Sequence, residues 1–161
     1  RELTVVFEPG RWLVADAGVL LTRVEYVKAN VARSFLVVDA GMNDLLRPAL
    51  YEGWHAIDPV RRPAESSAAA PVQRYDVVGP VCESADFLGH QRALDAAAGD
   101  LLAVRTAGAY GFVMASNYNA RNRPPEVLVE DGRDRLVRRR ETIDDQLAAE
   151  LPLLAADPAR S

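Results

Sequence analysis

The sequence predicts a mainly β fold with a few helices, arranged as a β-sandwich or half-open barrel. Short apolar runs rich in β-branched residues recur along the 161-residue chain, and turn residues separate them. Hydrophobic residues make up 49% of the chain and charged residues 26%, which is ordinary for a globular protein. Because the strand-like runs are short and regularly interrupted by turns, two packed sheets or one curled sheet is the natural architecture.

Strand-like segments fill most of the middle of the chain. Each shows either a continuous apolar run or an alternation of apolar with charged side chains. Asp131 and Gly132 separate the last two of these segments and predict a hairpin. Residues 61–70 are rich in proline, serine and alanine without periodicity, and they predict an exposed loop. The strand-like segments are 22–28, 35–38, 74–78, 101–106, 126–130 and 135–139.

The N-terminal segment has a different pattern. Residues 3–7 form an apolar run typical of a buried strand, and the loop Glu8-Pro9-Gly10-Arg11 ends it. Apolar residues then recur at helical spacing up to Leu21. These patterns divide the chain into a strand and helix at 1–21, a β-domain at 22–151 and a fraying tail at 152–161.

Short helices are predicted at two further places. Asp44 can cap a helical turn that runs to Tyr51. Thr142 and Asp145 have the spacing of a capping box and predict a helix through Leu151.

Composition and charge argue against several classes of function. The 19 basic and 23 acidic residues leave a net charge of −4, whereas a nucleic-acid-binding domain usually has a basic excess. No apolar stretch is long enough to cross a bilayer, so we expect no membrane partner. The single cysteine, Cys82, fits a reducing, cytoplasmic compartment. His55 and His90 have no metal-ligand spacing, so we expect no metal site.

Six segments of the sequence resemble the C-terminal half of the diaminopimelate decarboxylase family. They are Glu8-Pro9-Gly10-Arg11, Asp39-Ala40-Gly41-Met42-Asn43-Asp44, Arg47-Pro48-Ala49-Leu50-Tyr51, Gly79-Pro80-Val81-Cys82-Glu83-Ser84, Gly108-Ala109-Tyr110-Gly111 and Met114-Ala115-Ser116-Asn117-Tyr118-Asn119. Each segment alone is unspecific. Because all six occur in the family's order between about residues 8 and 142, the resemblance is specific.

The resemblance implies an enzyme that uses pyridoxal 5′-phosphate. In this family an N-terminal (β/α)8 barrel carries the Schiff-base lysine, and a C-terminal β-domain completes the site. Residues 1–21 would be the last strand and helix of that barrel, whose first seven strands are missing from this sequence. Lys28, the only lysine, lies in a strand pattern and is not the cofactor lysine. Ala85, where the family often has glycine, should not alter the chemistry. We therefore expect the chain to be inactive alone.

The loop from Glu8 to Arg11 is the candidate cofactor site. N–H groups at a helix N-terminus favour a phosphate dianion, and glycine lets the backbone approach it closely. From the residues alone, an ordinary strand-to-helix turn is the better interpretation. The resemblance implies instead that Gly10 and Arg11 hold the cofactor phosphate and that Glu8 pairs with the pyridinium nitrogen. It also implies that Tyr110, otherwise a strand-end tyrosine in the core, contacts phosphate and substrate.

Arg47 and Tyr51 are candidate substrate-binding residues. They are four residues apart, so they project from one face of a helical turn. Without the family, a surface arginine stacked on an aromatic ring is about equally probable. The resemblance implies that Arg11, Arg47 and Tyr51 clamp the distal carboxylate of the substrate, a role that suits the planar fork of arginine.

Cys82 is the candidate catalytic residue. A lone cysteine is usually a small buried hydrophobe, but this one follows Gly-Pro and precedes Glu83, so we expect it on a loop. The resemblance implies that Cys82 protonates the carbanion left by decarboxylation and that Glu83 contacts the distal amine of the substrate. It further implies that both residues reach into the site of the partner subunit, so that a homodimer is the catalytic unit.

The function that the resemblance implies is the conversion of meso-2,6-diaminopimelate to L-lysine and carbon dioxide, a lyase reaction of lysine biosynthesis. One alternative is an ornithine- or arginine-type decarboxylase. Such enzymes tend to have Cys-Asp where this chain has Cys82-Glu83, and they lack the Arg-Pro-Ala-Leu-Tyr clamp. The other alternative is a non-catalytic β-module used for assembly, which the missing lysine favours for this chain in isolation.

Overall fold

A six-stranded sheet is the main element of the first part of the chain. The structure is a computed structural model that describes residues 2–30, 33–60 and 73–155. Its backbone forms two compact units, one ending at Ala115 and the other beginning at Ser116. The sheet belongs to the first unit, and a separate two-stranded hairpin belongs to the second.

The strands predicted from alternation in the first unit are confirmed, with bounds that differ by one or two residues. The elements are α1 (Gly10–Val14), a 3-10 turn (Ala15–Ala17), β1 (Leu20–Ala29), β2 (Ser34–Val38), α2 (Arg47–Tyr51), β3 (Ile57–Pro59), β4 (Gln73–Val78), β5 (Phe87–Leu94) and β6 (Leu101–Val104). The loop expected at 61–70 lies outside the described residues.

The order of the strands in the sheet is β3-β6-β1-β2-β4-β5. Every neighbouring pair is antiparallel except β2 and β4, which are parallel with Leu36 opposite Val77. The edge strands β3 and β5 approach each other, so the sheet curls back on itself. The predicted mainly β, half-open barrel is therefore confirmed.

The strand directions place several connections at one edge of the sheet. Strands β2, β4 and β6 run the same way, because β2 is parallel to β4 and both β2 and β6 are antiparallel to β1. Their carboxyl ends lie at the same edge, together with the amino ends of β1 and β3. The segments that precede β1 and β3, and the loops that follow β2, β4 and β6, consequently emerge side by side.

Alternation along the strands builds the core. On β1, Thr22 and Val24 are buried while their sequence neighbours face solvent, as the two-residue period of a strand requires. Burial of these apolar surfaces is the main favourable term in folding. The least exposed residues of the hydrophobic core are Val24, Leu36, Val38, Leu45, Val77, Leu88, Leu102 and Val104.

The N-terminal segment differs from its prediction. Residues 3–7 form no strand, and Leu3 and Phe7 are more than four-fifths exposed. A strand needs a hydrogen-bonded neighbour, and no described strand pairs with this segment. The helix predicted up to Leu21 is also wrong. It ends at Val14, and Leu21 instead pairs with Ala103 in the sheet.

Two strands, β3 and β5, were not predicted. β3 has only three residues and includes a proline, so it has no readable period. β5 is interrupted by polar residues near a bulge, where Gln91 has φ 52°. The buried carboxylate of Asp76 holds that bulge by accepting the Gln91 N–H at 2.8 Å.

The second unit contains the predicted hairpin and two short helices. The hairpin strands are β7 (Glu126–Glu130) and β8 (Arg133–Arg138), and the helices are α3 (Ile143–Leu147) and α4 (Leu151–Ala155). The Thr142–Asp145 capping box is confirmed. The helix predicted through Leu151 ends earlier, and Pro152 lies in the first turn of a separate helix, where its missing N–H costs nothing. Residues 152–155 are thus helical, and residues 156–161 lie outside the described part.

No helix within residues 2–30, 33–60 and 73–155 combines the length and the apolar character needed to cross a membrane.

Glu141 is held by several hydrogen bonds in the second unit. Its carboxylate accepts bonds from the Arg123 side chain at 2.9 and 3.2 Å, from the Arg123 backbone N–H at 2.9 Å and from the Asn117 amide. These bonds, with those of the Arg123 side chain the largest cause, lower the pKa of Glu141 to about 2. The folded state therefore stabilises the ionised form of Glu141.

We predict that acid weakens the second unit between about pH 4.5 and pH 2. A group whose pKa is lower in the folded state contributes stability above its unfolded pKa, and that stability is lost as pH falls toward the folded pKa. Glu141→Gln should flatten this dependence and speed amide hydrogen exchange of residues 116–155 at pH 6. Glu126→Gln is the matched control, because the exposed ion pair between Glu126 and Arg138 should contribute little to stability. An unchanged pH dependence in Glu141→Gln would contradict the assignment.

Candidate active site

Arg47, Tyr51 and Tyr110 come together in the structure. The guanidinium carbon of Arg47 lies 6.0 Å from the centre of the Tyr51 ring and 6.0 Å from the centre of the Tyr110 ring. Tyr51 is 62% exposed and Tyr110 48% exposed, so both phenols face solvent. Across the described ranges, no carboxylate forms an ion pair with Arg47. The cluster is thus a cation between two phenols, open to an anionic ligand.

The short helix α2 positions two members of this cluster. Arg47 and Tyr51 are its first and last residues, and the helix ends because Glu52 adopts a left-handed conformation with φ 53°. The prediction that Asp44 caps this helix is wrong. Asp44 accepts the N–H of Gly41 at 2.8 Å and closes a turn of its own. Pro48 in the first turn of α2 has no N–H that would need a cap.

The third member, Tyr110, lies in a loop with close backbone contacts. The N–H of Gly108 donates to the carbonyl of Ala15 at 2.9 Å. A side chain at position 108 would collide with the Val14 carbonyl oxygen, so this approach requires glycine. Tyr110 has φ 58°, a conformation that bulky residues adopt rarely. The loop therefore fixes the direction of the phenol at some cost in backbone strain.

The same contact connects the loop of Tyr110 to the segment that carries the predicted phosphate-binding residues. Gly10 begins α1, and the 3-10 turn with Ala15 follows that helix directly. Nothing lies within 4 Å of the space that a side chain of Gly10 would occupy. Glu8 and Arg11 are both exposed. The start of α1 thus presents N–H groups and a guanidinium beside open space.

Cys82 and Glu83 lie on the loop between β4 and β5. The loop position expected for Cys82 is found, and both side chains are exposed. The Glu83 carbonyl accepts the N–H of Asp86 at 3.0 Å, and the Gly79 N–H donates to the Asp86 carbonyl at 3.0 Å. These bonds fold the loop into a compact turn with the thiol on its outer side.

Sequence reasoning missed the residue that holds this loop, Asp86. It is 4% exposed. One oxygen of its carboxylate accepts the N–H of Val81 at 2.6 Å, and the other accepts the N–H of Met42 at 2.6 Å. The only sequence signal is the coincidence of this aspartate with Gly79, where a side chain would collide with the carboxylate.

The two histidines contact other residues. His55 is buried, and its Nδ1 lies 2.8 Å from the Arg105 carbonyl oxygen. Its Nδ1 must carry the proton in this bond, because a carbonyl only accepts. His90 packs against the ring of Phe87 at 4.0 Å. In the described part of the chain, no group of three potential ligands could hold a metal ion.

All of the predicted site residues lie on segments at one edge of the sheet, but they form separate groups. Arg47, Tyr51 and Tyr110 are in one cluster, and the start of α1 adjoins the loop of Tyr110. Cys82 and Glu83 stand on a different loop, which Asp86 connects to the segment that precedes α2. The arrangement offers cationic and phenolic groups for an anion in one place and an exposed thiol in another.

Comparison with known proteins identifies the domain that contains the sheet. Residues 11–108 match the family model for the pyridoxal-dependent decarboxylase C-terminal sheet domain. A diaminopimelate decarboxylase from Pseudomonas aeruginosa is 59% identical over 150 residues, which are 93% of this chain and 35% of that protein.

Solved structures give the same result. A crystal structure of diaminopimelate decarboxylase is 46% identical with a TM-score of 0.80, covering 88% of this chain and 35% of that one. The diaminopimelate decarboxylase from Helicobacter pylori, solved in complex with L-lysine, is 40% identical with a TM-score of 0.78, covering 88% and 34%. The chain therefore spans about a third of the length of these relatives.

The matched residues include the whole six-stranded sheet. Arg11, Arg47, Tyr51, Cys82 and Glu83 lie within the match, whereas Glu8, Gly10 and Tyr110 lie just outside it. The chain belongs to the pyridoxal-dependent decarboxylases and contains their C-terminal sheet domain.

Proposed function

We propose that the protein containing this chain is a diaminopimelate decarboxylase, which converts meso-2,6-diaminopimelate to L-lysine and carbon dioxide in lysine biosynthesis. The observation that carries this proposal is the half-buried Arg47, which lies beside two phenols and has no carboxylate partner in the described chain. A substrate with a second, distal carboxylate supplies that partner. The chain by itself is inactive in this proposal.

The residues at the start of α1 fit pyridoxal 5′-phosphate. Open space at Gly10, the free N–H groups of a helix start and the exposed Arg11 form a donor set for a phosphate. Tyr110 adds a phenol from the adjoining loop, and Glu8 offers an acceptor for the ring nitrogen. When bound, pyridoxal 5′-phosphate supplies an electron sink for the charge left by loss of a carboxylate.

The residues of this chain have distinct roles in the proposed reaction. Arg47, with Arg11 and Tyr51, binds and orients the distal carboxylate, so that the carboxylate at the other end is the one lost. The bond between the α-carbon and that carboxylate breaks, and carbon dioxide leaves. Cys82 then donates its Sγ proton to the α-carbon, and Glu83 accepts a hydrogen bond from the distal amine.

The catalytic unit in this proposal is a homodimer. Cys82 and Glu83 stand on a loop apart from the Arg47 cluster, which is what a thiol serving the neighbouring subunit's site requires. The residues before β1 complete a (β/α)8 barrel supplied by the rest of the protein, the β-domain runs from β1 to about residue 151, and 152–161 are a tail. The exposed strand-like residues 3–7 are suited to that barrel. A cytoplasmic location is part of the proposal, because a catalytic thiol is kept reduced there.

The alternatives are less well supported. The substrate of an ornithine- or arginine-type decarboxylase has no distal carboxylate. Arg47 would therefore have no group to bind in such an enzyme. A non-catalytic module would have no need of an exposed thiol beside a glutamate at the edge of the sheet where β2, β4 and β6 end, called the working edge below. Turnover of diaminopimelate, ornithine and arginine by the complete protein discriminates among the three.

We expect Arg47→Ala in the complete enzyme to raise KM for diaminopimelate about tenfold to a hundredfold. The reason is loss of a charge-assisted bond of about 1.5–3 kcal/mol, whereas cofactor affinity should change little. Steady-state kinetics and cofactor titration measure the two effects. Arg23→Ala, which removes an exposed arginine from β1, is the control and should leave KM unchanged. Wild-type kinetics in Arg47→Ala would refute the clamp.

We expect Cys82→Ala to lower kcat about 10²–10⁴-fold, which is the usual contribution of a positioned acid. Substrate binding should persist, because the clamp residues do not include the thiol. Rapid-mixing measurements of carbon dioxide release and of lysine formation separate the two stages. Full turnover in Cys82→Ala would remove the thiol from the reaction.

Sharing of the site between subunits has its own test. Cys82→Ala subunits are combined with subunits that lack the cofactor lysine. A mixed dimer then contains one site with both groups intact, so we expect part of the activity to return. The control is each variant alone at the same concentration. Inactive mixed dimers, verified by mass, would contradict a shared site.

A further inference from the structure

Asp86 occupies an unusual position for a buried carboxylate. It begins the approach to β5, yet its two oxygens bond to two different loops at the working edge of the sheet. One is the loop of Cys82, which follows β4. The other is the loop around Met42, which follows β2 and leads into α2. A single side chain therefore connects the segments that carry the proton donor and the carboxylate clamp.

The two bonds are of the strong kind. Each joins an ionised oxygen to a backbone N–H at 2.6 Å, and charge-assisted bonds are shorter and stronger than neutral ones. The carboxylate is 4% exposed, so water competes poorly for it. Gly79 makes room for it, since a side chain there would collide with both oxygens. The position of the Asp86 carboxylate is therefore closely restricted. Any shift of Asp86 must move at least one of the two loops.

We infer that Asp86 is a positioning residue for Cys82, and this inference rests on the proposed function. The N–H that Asp86 holds belongs to Val81, the residue directly before the thiol. Because the other oxygen is tied to Met42, Asp86 fixes the loop of the thiol against the loop that follows β2 in the same subunit. It does so without touching substrate or cofactor.

The main variant is Asp86→Asn in the complete enzyme. An amide has almost the same shape, but its nitrogen cannot accept a hydrogen bond, so one of the two N–H groups faces another donor. We expect kcat to fall roughly tenfold to a hundredfold with KM changed less than threefold, because small displacement of a reacting group can cost about 10²-fold. Asp76→Asn is the matched control, since Asp76 is equally buried and holds a bulge by one backbone bond.

A double-mutant cycle separates positioning from general support of the fold. In the Cys82→Ala background the thiol is already absent, so Asp86→Asn should cause less than a threefold further loss in kcat. Multiplicative losses would mean that Asp86 acts independently of the thiol, and the inference would be overturned. Equal loss of kcat in Asp76→Asn would overturn it as well.

Hydrogen exchange provides a readout that does not depend on activity. In the wild-type protein, peptides that contain Met42 and Val81 should be protected, and Asp86→Asn should speed exchange in both peptides at least tenfold. Gly79→Ala, which displaces the carboxylate without a change of charge, should do the same. If neither variant folds, the wild type still decides: exchange of these two amides at the rate of a free loop contradicts the inference.

The experiments would give different results if the proposed function, and not the positioning inference, were wrong. In that case the wild-type protein would not turn over diaminopimelate, or Cys82→Ala would be fully active. Failure of the positioning inference would instead leave an active wild type and an impaired Cys82→Ala variant, with Asp86→Asn either silent or multiplicative with it.

Discussion

The parallel pairing of β2 with β4 is the constraint on which the site depends. All other neighbours in the sheet are antiparallel, and this one pair makes β2, β4 and β6 point the same way. A hairpin between β2 and β4 would send the loop of Cys82 to the opposite edge. Parallel strands need a long crossover, and here the crossover itself contains α2 with Arg47. One topological choice thus places the clamp, the thiol loop and the carboxylate of Asp86 at the same edge of the sheet.

The fold was predictable where burial of one face of a strand imposes an alternation of apolar and polar residues on the sequence. β1 shows alternation because the core covers only one of its faces, and its prediction was correct within two residues. β5 was missed because its middle holds polar residues around the bulge at Gln91, and a bulge shifts the period by one. Residues 3–7 have the composition of a strand, but pairing depends on a neighbour that local composition does not encode.

The candidate site was predictable in part. Arg47 and Tyr51 are four residues apart, so their shared face follows from helix geometry. The approach of Tyr110 to Arg47 depends on the contact between Gly108 and Ala15, which joins distant parts of the sequence. Asp86 was missed, because an aspartate beside a turn is common and its two partners become neighbours only through the strand order. The groups implied by the family were therefore identified, whereas their physical support was not.

The strand order also affects how the chain is made. Leu20 at the start of β1 pairs with Val104 in β6, so β1 stays unpaired on one side until nearly the whole sheet has left the ribosome. At about 5–20 residues per second, that interval is roughly 4–17 s. Contacts between such distant residues fold slowly, and an open strand edge invites pairing with other chains. The topology that assembles the working edge thus leaves the nascent protein vulnerable to aggregation until β6 arrives.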